Sequence, residues 1–279
     1  MPPSPAERPV DRPARRFAAV DTGRPPGGGR PGGVPLLLVH GWGGDREDWA
    51  AMLPPLAAGH RVLVPDLPGH GRTPAWPGRH APRLVADDLA DWLRELAPGP
   101  VVAVGHSMGG QVVTALSVGH PDVVRASVTV ATGFGGRATA AELAADQTAL
   151  LRDPTGWAER FTRRADGPTT PPEIGERHRR LFAAMDAGVL AEYREAMYLA
   201  PGATGTRQAA EALLRRRRRP ALAVHTSAEA AAWERALPAP PPPSTVVLWP
   251  ECGHFPHEER PAALAALLED WCRRTAPIG

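Results

Sequence analysis

The sequence predicts an α/β fold, a doubly wound and mostly parallel sheet with an inserted helical cap. Short continuous apolar runs recur along the chain: Leu36 to Val39, Val62 to Val64, Val101 to Val104, Ala126 to Val130, Leu222 to Val224, and Val246 to Trp249. Runs of that length, unbroken by polar residues, fit parallel strands buried on both faces. Helical patterns lie between them, and strand–helix alternation of this kind builds a doubly wound sheet. Between Thr132 and Arg219 the alternation stops, and only helical patterns follow one another.

The elements follow in order. Residues 1–15 are rich in Pro and Arg and read as a disordered lead. Arg16 to Gly23 has the composition of a first strand and runs into a Gly/Pro-rich turn through Gly33. The clearest amphipathic stripe is Leu84, Val85, Leu89, Trp92, Leu93 and Leu96. A second, Leu264, Leu267, Leu268 and Trp271, follows Pro261, a residue suited to a first helical turn. Residues 16–132 and 220–279 therefore form the expected core, and 133–219 the cap. Helices are expected in the cap near Ala140 to Leu151, Gly156 to Arg164, Glu173 to Met185, Leu190 to Met197 and Arg207 to Arg217. A helical insertion between two core strands is most simply a cap over the sheet's C-terminal edge. Its bulky side chains include Trp157, Phe161, Phe182, Tyr193 and Met197, and a share of them is expected to face a substrate cavity.

Composition excludes several functions. The formal net charge is only +2, so no global field draws the chain to nucleic acid or an anionic membrane. Every basic side chain outside histidine is arginine. The dense run Arg215 to Arg219 reads as a solvated helix end stopped by Pro220, because no aromatic or second basic segment accompanies it. Cys252 and Cys272 are too few for a disulfide framework and lack metal-ligand spacing. The N-terminus has no apolar signal core, and no stretch approaches the roughly 18 apolar residues that span a bilayer. These features read as a soluble, cytoplasmic protein acting on a small molecule, with no cofactor or metal.

Chemistry concentrates at strand ends. Gly105-His106-Ser107-Met108-Gly109 follows the run ending at Val104 and reads as a nucleophile elbow. A serine hydroxyl is a weak nucleophile; it must stand clear of the sheet beside a base and backbone N–H donors. His40-Gly41-Trp42-Gly43-Gly44 follows the run ending at Val39, where a Gly-rich turn can aim the Trp42 N–H at a developing oxyanion alongside that of Met108. His40 reads as a structural hydrogen-bonder, and Asp66 and His70 in Asp-Leu-Pro-Gly-His-Gly read as loop braces. Gly253-His254-Phe255 follows the last strand and puts a histidine where ligand sites of open α/β sheets lie. A histidine there suits a general base, since its ordinary pKa lies near working pH. His257, three residues on, is the runner-up for that role and reads as a surface residue.

Taken in order, His-Gly-Trp-Gly-Gly, Asp-Leu-Pro-Gly-His-Gly, Gly-His-Ser-Met-Gly-Gly and Gly-His-Phe-Pro-His-Glu-Glu-Arg-Pro resemble the α/β-hydrolase superfamily. The resemblance spans roughly Phe17 to Arg273. It implies Ser107 as nucleophile, His254 as base, and the Trp42 and Met108 N–H groups as oxyanion donors. The implied activity is that of a serine hydrolase acting on an ester, lactone or related carbonyl. The same fold and triad also serve cofactor-free lyases, C–C hydrolases, cyclases and oxygenases, as well as weakly catalytic ligand-binding members. The sequence departs from the family pattern at the acid. Many relatives carry Gly-Asp-x-Asp after the penultimate strand, where this chain has Thr226-Ser227-Ala228-Glu229. Offset puts Glu229 at the acid position; the alternatives are that it only opens the following helix, or that Glu234 further along that helix substitutes.

Overall fold

The computed structural model describes residues 16–25, 33–134, 138–238 and 244–275. The expectation for residues 1–15 lies outside the described residues. The described elements are β1 (Ala19–Asp21), β2 (Leu36–Val39), a 3-10 helix (Arg46–Met52), α1 (Leu53–Ala57), β3 (Val62–Pro65), α2 (Pro82–Leu96), β4 (Val101–His106), α3 (Met108–Gly119) and β5 (Val124–Val130). Then come α4 (Ala140–Arg152), α5 (Pro154–Arg163), α6 (Pro172–Ala184), α7 (Ala187–Tyr198), α8 (Arg207–Leu214), β6 (Ala221–His225), α9 (Ala228–Ala236), β7 (Ser244–Leu248), α10 (Pro256–Glu259) and α11 (Pro261–Thr275).

The strands form one seven-stranded sheet in the order β1-β3-β2-β4-β5-β6-β7. Only β1 pairs antiparallel, with Ala19 opposite Pro65. Every residue of β2, β3, β4 and β6 is buried, as their unbroken apolar runs require. Alternate side chains of one strand go to opposite layers. Leu36, Leu38, Val102 and Val104 pack against Trp49, Met52, Leu264 and Trp271, while Leu37, Val39, Val101 and Ala103 pack against α2 and α3 through residues such as Leu89 and Val112. The sheet is therefore doubly wound, as expected.

The strand order reverses at β2, because β3 lies on one side of it and β4 on the other. That reversal opens a crevice at the C-terminal edge, where ligands of such sheets bind. Register places Val39 beside Gly105, so the loops after β2 and β4 emerge side by side. Along the same edge Val130 lies opposite Val224, and His225 opposite Leu248.

Between β5 and β6 run α4 to α8, with no strand among the described residues. Local signals set their ends. Thr139 and Glu142 form a capping box on α4. The carboxylates of Asp153 and Asp186 accept the N–H groups of Gly156 and Val189, at 2.9 and 3.0 Å, to start α5 and α7. These helices share the buried cluster of α2 and α3 through Leu150, Trp157, Phe182, Leu190 and Tyr193, and the Tyr193 hydroxyl donates to Pro68 O at 3.0 Å. One detail departs from expectation. α8 stops at Leu214, and the arginine run that follows is not all solvated: Arg217 turns inward to Glu234 Oε1 at 3.1 Å, and Arg219 Nε donates to Pro121 O at 3.0 Å. No helix among the described residues is long and apolar enough to cross a membrane.

Candidate active site

Ser107 stands alone between the end of β4 and the start of α3, with φ 50° and ψ −117°. A non-glycine residue takes positive φ only where its surroundings over-determine it. Here the Ser107 N–H donates to Val130 O, and Ser107 O accepts from the Gly110 N–H, both at 2.9 Å. A Cβ on Gly105 would strike the Gly109 carbonyl, and one on Gly109 would strike the carbonyls of Val39 and His40. The two glycines let strand and helix approach closely enough to lift the serine off the sheet.

His254 comes from the loop after β7, and its Nε2 accepts the Ser107 hydroxyl at 3.0 Å. Its backbone is held on both sides. The His254 N–H donates to Ala165 O at 2.9 Å, and the His254 carbonyl accepts from His106 Nε2 at 2.7 Å. The latter bond makes Nε2 the protonated nitrogen of His106 and leaves its Nδ1 buried without a partner among the described residues. The Glu259 carboxylate accepts the N–H groups of Gly253 and Phe255, at 2.9 and 3.1 Å. Burial, and secondly the neighbouring His178, lower the His254 pKa to about 4. Its ring is thus neutral at neutral pH, the form a general base requires.

On the other side of Ser107 lies the turn after β2. Neither the Trp42 nor the Met108 backbone N–H has an acceptor among the described residues. His40 has the structural role expected of it: its Nδ1 donates to Gly41 O at 2.8 Å and its Nε2 accepts the Leu67 N–H at 2.9 Å. Asp66 accepts the N–H groups of Arg46 and Arg72 at 2.8 and 2.9 Å, and His70 Nε2 accepts the Gly43 N–H at 3.2 Å. Both residues hold the glycine turn in place.

The two candidate acids have different surroundings. Glu229 is exposed in the first turn of α9 and lines a cleft of about 370 Å³ together with His254, yet its carboxylate pairs with Arg207. Glu234 is buried and bonds His225 Nε2 at 2.8 Å and Arg217 at 3.1 Å. Among the described residues no carboxylate bonds His254 Nδ1.

The cavity directly over Ser107 measures about 20 Å³, room for roughly one water. Phe161 and Phe182 wall it, and Trp42 meets Trp157, Phe161 and Phe182 edge-on with ring centroids 5.3 Å apart in each case. A wider cleft of about 410 Å³, lined by Arg164, Thr226 and Cys252 among others, also borders His254.

Sequence reasoning missed a buried polar cluster at this cavity. Arg177 of α6 bonds Asp45 and Asp48 at 2.5 and 2.6 Å, and His178 Nε2 bonds Glu258 Oε1 at 2.5 Å. Burial, opposed by the cations of this cluster, raises the Asp48 pKa to about 6. Asp48, His178 and Glu258 converge closely enough to hold a metal ion, but the Arg177 guanidinium already lies among them, 3.5 Å from Glu258. No single segment signals the cluster, because its members come from three separate elements. His257, expected on the surface, is instead fully buried between His106 and Trp49, with ring centroids at 4.3 and 4.6 Å.

A serine on a strand-to-helix elbow at the switch point of a doubly wound sheet, facing a histidine from the loop after the last strand, is the arrangement found in α/β hydrolases. The chain belongs to the alpha/beta hydrolase family, whose model matches residues 36–267. It is 31% identical over 257 residues to a pimeloyl-[acyl-carrier protein] methyl ester esterase of Aromatoleum aromaticum, covering 85% of this chain and 98% of the relative. Among solved structures it resembles a thermophilic esterase from Thermogutta terrifontis, with TM-score 0.77, 26% identity and 94% of each chain covered. A hydrolase from Oleispira antarctica shares the fold at TM-score 0.79 and 20% identity, covering 93% of this chain and 95% of that one.

Proposed function

We propose that this protein is a cytoplasmic serine hydrolase that cleaves an ester, lactone or related carbonyl bond of a mostly apolar small molecule. The observation that carries the reading is the 3.0 Å contact between Ser107 Oγ and the neutral Nε2 of His254. His254 takes the Ser107 proton as Oγ attacks the carbonyl carbon. The resulting oxyanion receives the N–H groups of Trp42 and Met108, which have no other acceptor among the described residues. Collapse of the tetrahedral intermediate expels the alkoxide, which takes the proton from His254 and leaves Ser107 acylated. His254 then deprotonates a water that attacks the acyl carbon, and collapse of the second tetrahedral intermediate expels Ser107 Oγ, which takes the proton back from His254 as the carboxylic acid is released. Residues 133–219 act as a cap whose Phe161 and Phe182 face the reacting group. Glu229 lines the cleft beside His254, but its carboxylate pairs with Arg207, so this reading gives it no part in these steps. The esterases among the relatives support the ester class.

The test is treatment with a fluorophosphonate probe followed by mass spectrometry. An adduct on Ser107 is the expected result, and an unmodified Ser107 overturns the reading. One observation favours a ligand-binding member with little turnover, namely that His254 Nδ1 bonds no carboxylate among the described residues. An unmodified serine would support that alternative.

A further inference from the structure

The loop that carries His254 is gripped by the insertion between β5 and β6. From the segment after α5, Ala165 O accepts the His254 N–H at 2.9 Å, and the Thr169 hydroxyl donates to Glu251 O at 2.7 Å. Gly167 backs directly onto Gly253, where a Cβ on Gly167 would lie 2.6 Å from both Gly253 Cα and N. From α6, the His178 ring stacks on Phe255 with centroids 3.9 Å apart and planes 8° from parallel, and its Nε2 bonds Glu258 Oε1 at 2.5 Å. The insertion thus touches the base-bearing loop before, at and after His254.

A triad acid works by holding the histidine ring in one orientation and tautomer through Nδ1. In this chain Nδ1 has no partner among the described residues, so the direction of the ring rests on its backbone and neighbours. That matters quantitatively, because a misplacement of about 1 Å in a reacting group costs on the order of 10²-fold in rate.

We propose that the segment Ala165–Thr170 and His178 position the general base, so that seating the insertion on Gly253–Glu258 is what aims His254 at Ser107. The proposal rests on the serine-hydrolase reading for its kinetic consequence, though not for its geometry. It makes the insertion more than a wall of the cavity over Ser107, because the segments that cover the loop also fix the backbone that carries the base.

The experiment compares Thr169→Val, Gly167→Val, His178→Ala and His178→Gln in the full chain. Thr169 is exposed, so Thr169→Val removes one hydrogen bond at a site where the fold tolerates it. Positioning predicts that kcat falls several-fold in Thr169→Val and by about 10²-fold in Gly167→Val, with KM near wild type. Fluorophosphonate labelling of Ser107 should slow in parallel, since it needs an activated hydroxyl but no bound substrate. His178→Gln, which keeps a donor for Glu258, should retain more activity than His178→Ala. A turnover-free readout is the His254 ring in long-range 1H–15N spectra. It faces Ser107, His106 and His178, and should titrate nearer the ordinary 6.5 once the clamp loosens and water reaches it. Wild-type kcat, labelling and ring titration in Thr169→Val and Gly167→Val overturn the proposal, as does a rise in KM at unchanged kcat. An unreactive Ser107 in the wild-type protein overturns the hydrolase reading instead, and the ring titration then still decides the positioning.

Discussion

Replacing Glu234 by Gln separates a structural acid from a catalytic one. The Glu234 and Arg217 side chains are 1% and 7% exposed, and the carboxylate also bonds the buried His225. Burial alone would raise the Glu234 pKa, but the hydrogen bond from His225 and the Arg217 charge outweigh it and hold the carboxyl below its ordinary value. The substitution leaves the Arg217 guanidinium buried without its counter-charge, which costs about 3–5 kcal/mol. At roughly 2–4 °C per kcal/mol in a chain of this size, the melting temperature should fall by about 6–20 °C. A depressed carboxyl contributes stability above its ordinary pKa of 4.5 and loses it as pH falls through the folded value, so the gap between wild type and variant should close in acid. The assay is thermal unfolding at neutral and acid pH beside turnover at a temperature where both proteins are folded. Turnover should stay near wild type. A rate loss of orders of magnitude at an unchanged melting temperature would refute the argument and make Glu234 the partner of His254.

Ser107→Ala should lower turnover by about 10⁴-fold or more without changing the unfolding midpoint, and His254→Ala should match it, because nucleophile and base act as one unit; a double variant no worse than either single one checks this. Glu229→Gln should cost less than about tenfold, since its carboxylate pairs with Arg207; a loss near the 10⁴-fold typical of a true orienting acid would place Glu229 on His254 during turnover. The pH profile of kcat/KM should be flat from neutrality to about pH 5 and fall with a midpoint near 4, because burial and then His178 keep His254 unprotonated; a midpoint near the ordinary 6.5 would show that the working site is more open than this structure.

The parts of the fold legible in the sequence are those that depend on neighbours in the chain. Gly105 is required by a contact within one strand–turn–helix unit, where its Cβ would strike Gly109, and Gly109 by the close approach of that unit to the end of β2, so the pentapeptide announces most of its own geometry. The sheet's apolar runs report burial on both faces, and the capping box of α4 and the prolines of α5 and α6 mark helix starts that lie within two residues of expectation. What the sequence hid depends on where separate segments meet. Pro256-His257-Glu258-Glu259 has the composition of a surface turn, but α10 faces Trp49, so His257 is buried while Glu258 reaches α6. Arg217 looks like one of five solvated arginines, and only the packing of α9 beside β6 reveals Glu234 as its partner.

The triad acid shows the same division most sharply. Alignment by offset assumes that the chain leaves β6 in a loop, as the Gly-Asp-x-Asp pattern would. Instead only two residues separate the end of β6 at His225 from the start of α9 at Ala228, with Ser227 as its N-cap accepting the Ala230 N–H at 3.3 Å. That cap makes Glu229 a first-turn carboxylate, favoured there by the helix dipole and directed to Arg207. The residues that instead hold the base, Ala165, Thr169 and His178, lie more than 70 positions from it in the chain. Ala165 acts through its carbonyl, which every residue has, so no side chain marks it. A role carried by backbone groups leaves no signature in residue identity; Gly167 and Gly253 are positions in that contact where the required absence of a side chain could have been read, and two glycines among 29 do not announce which neighbours they admit.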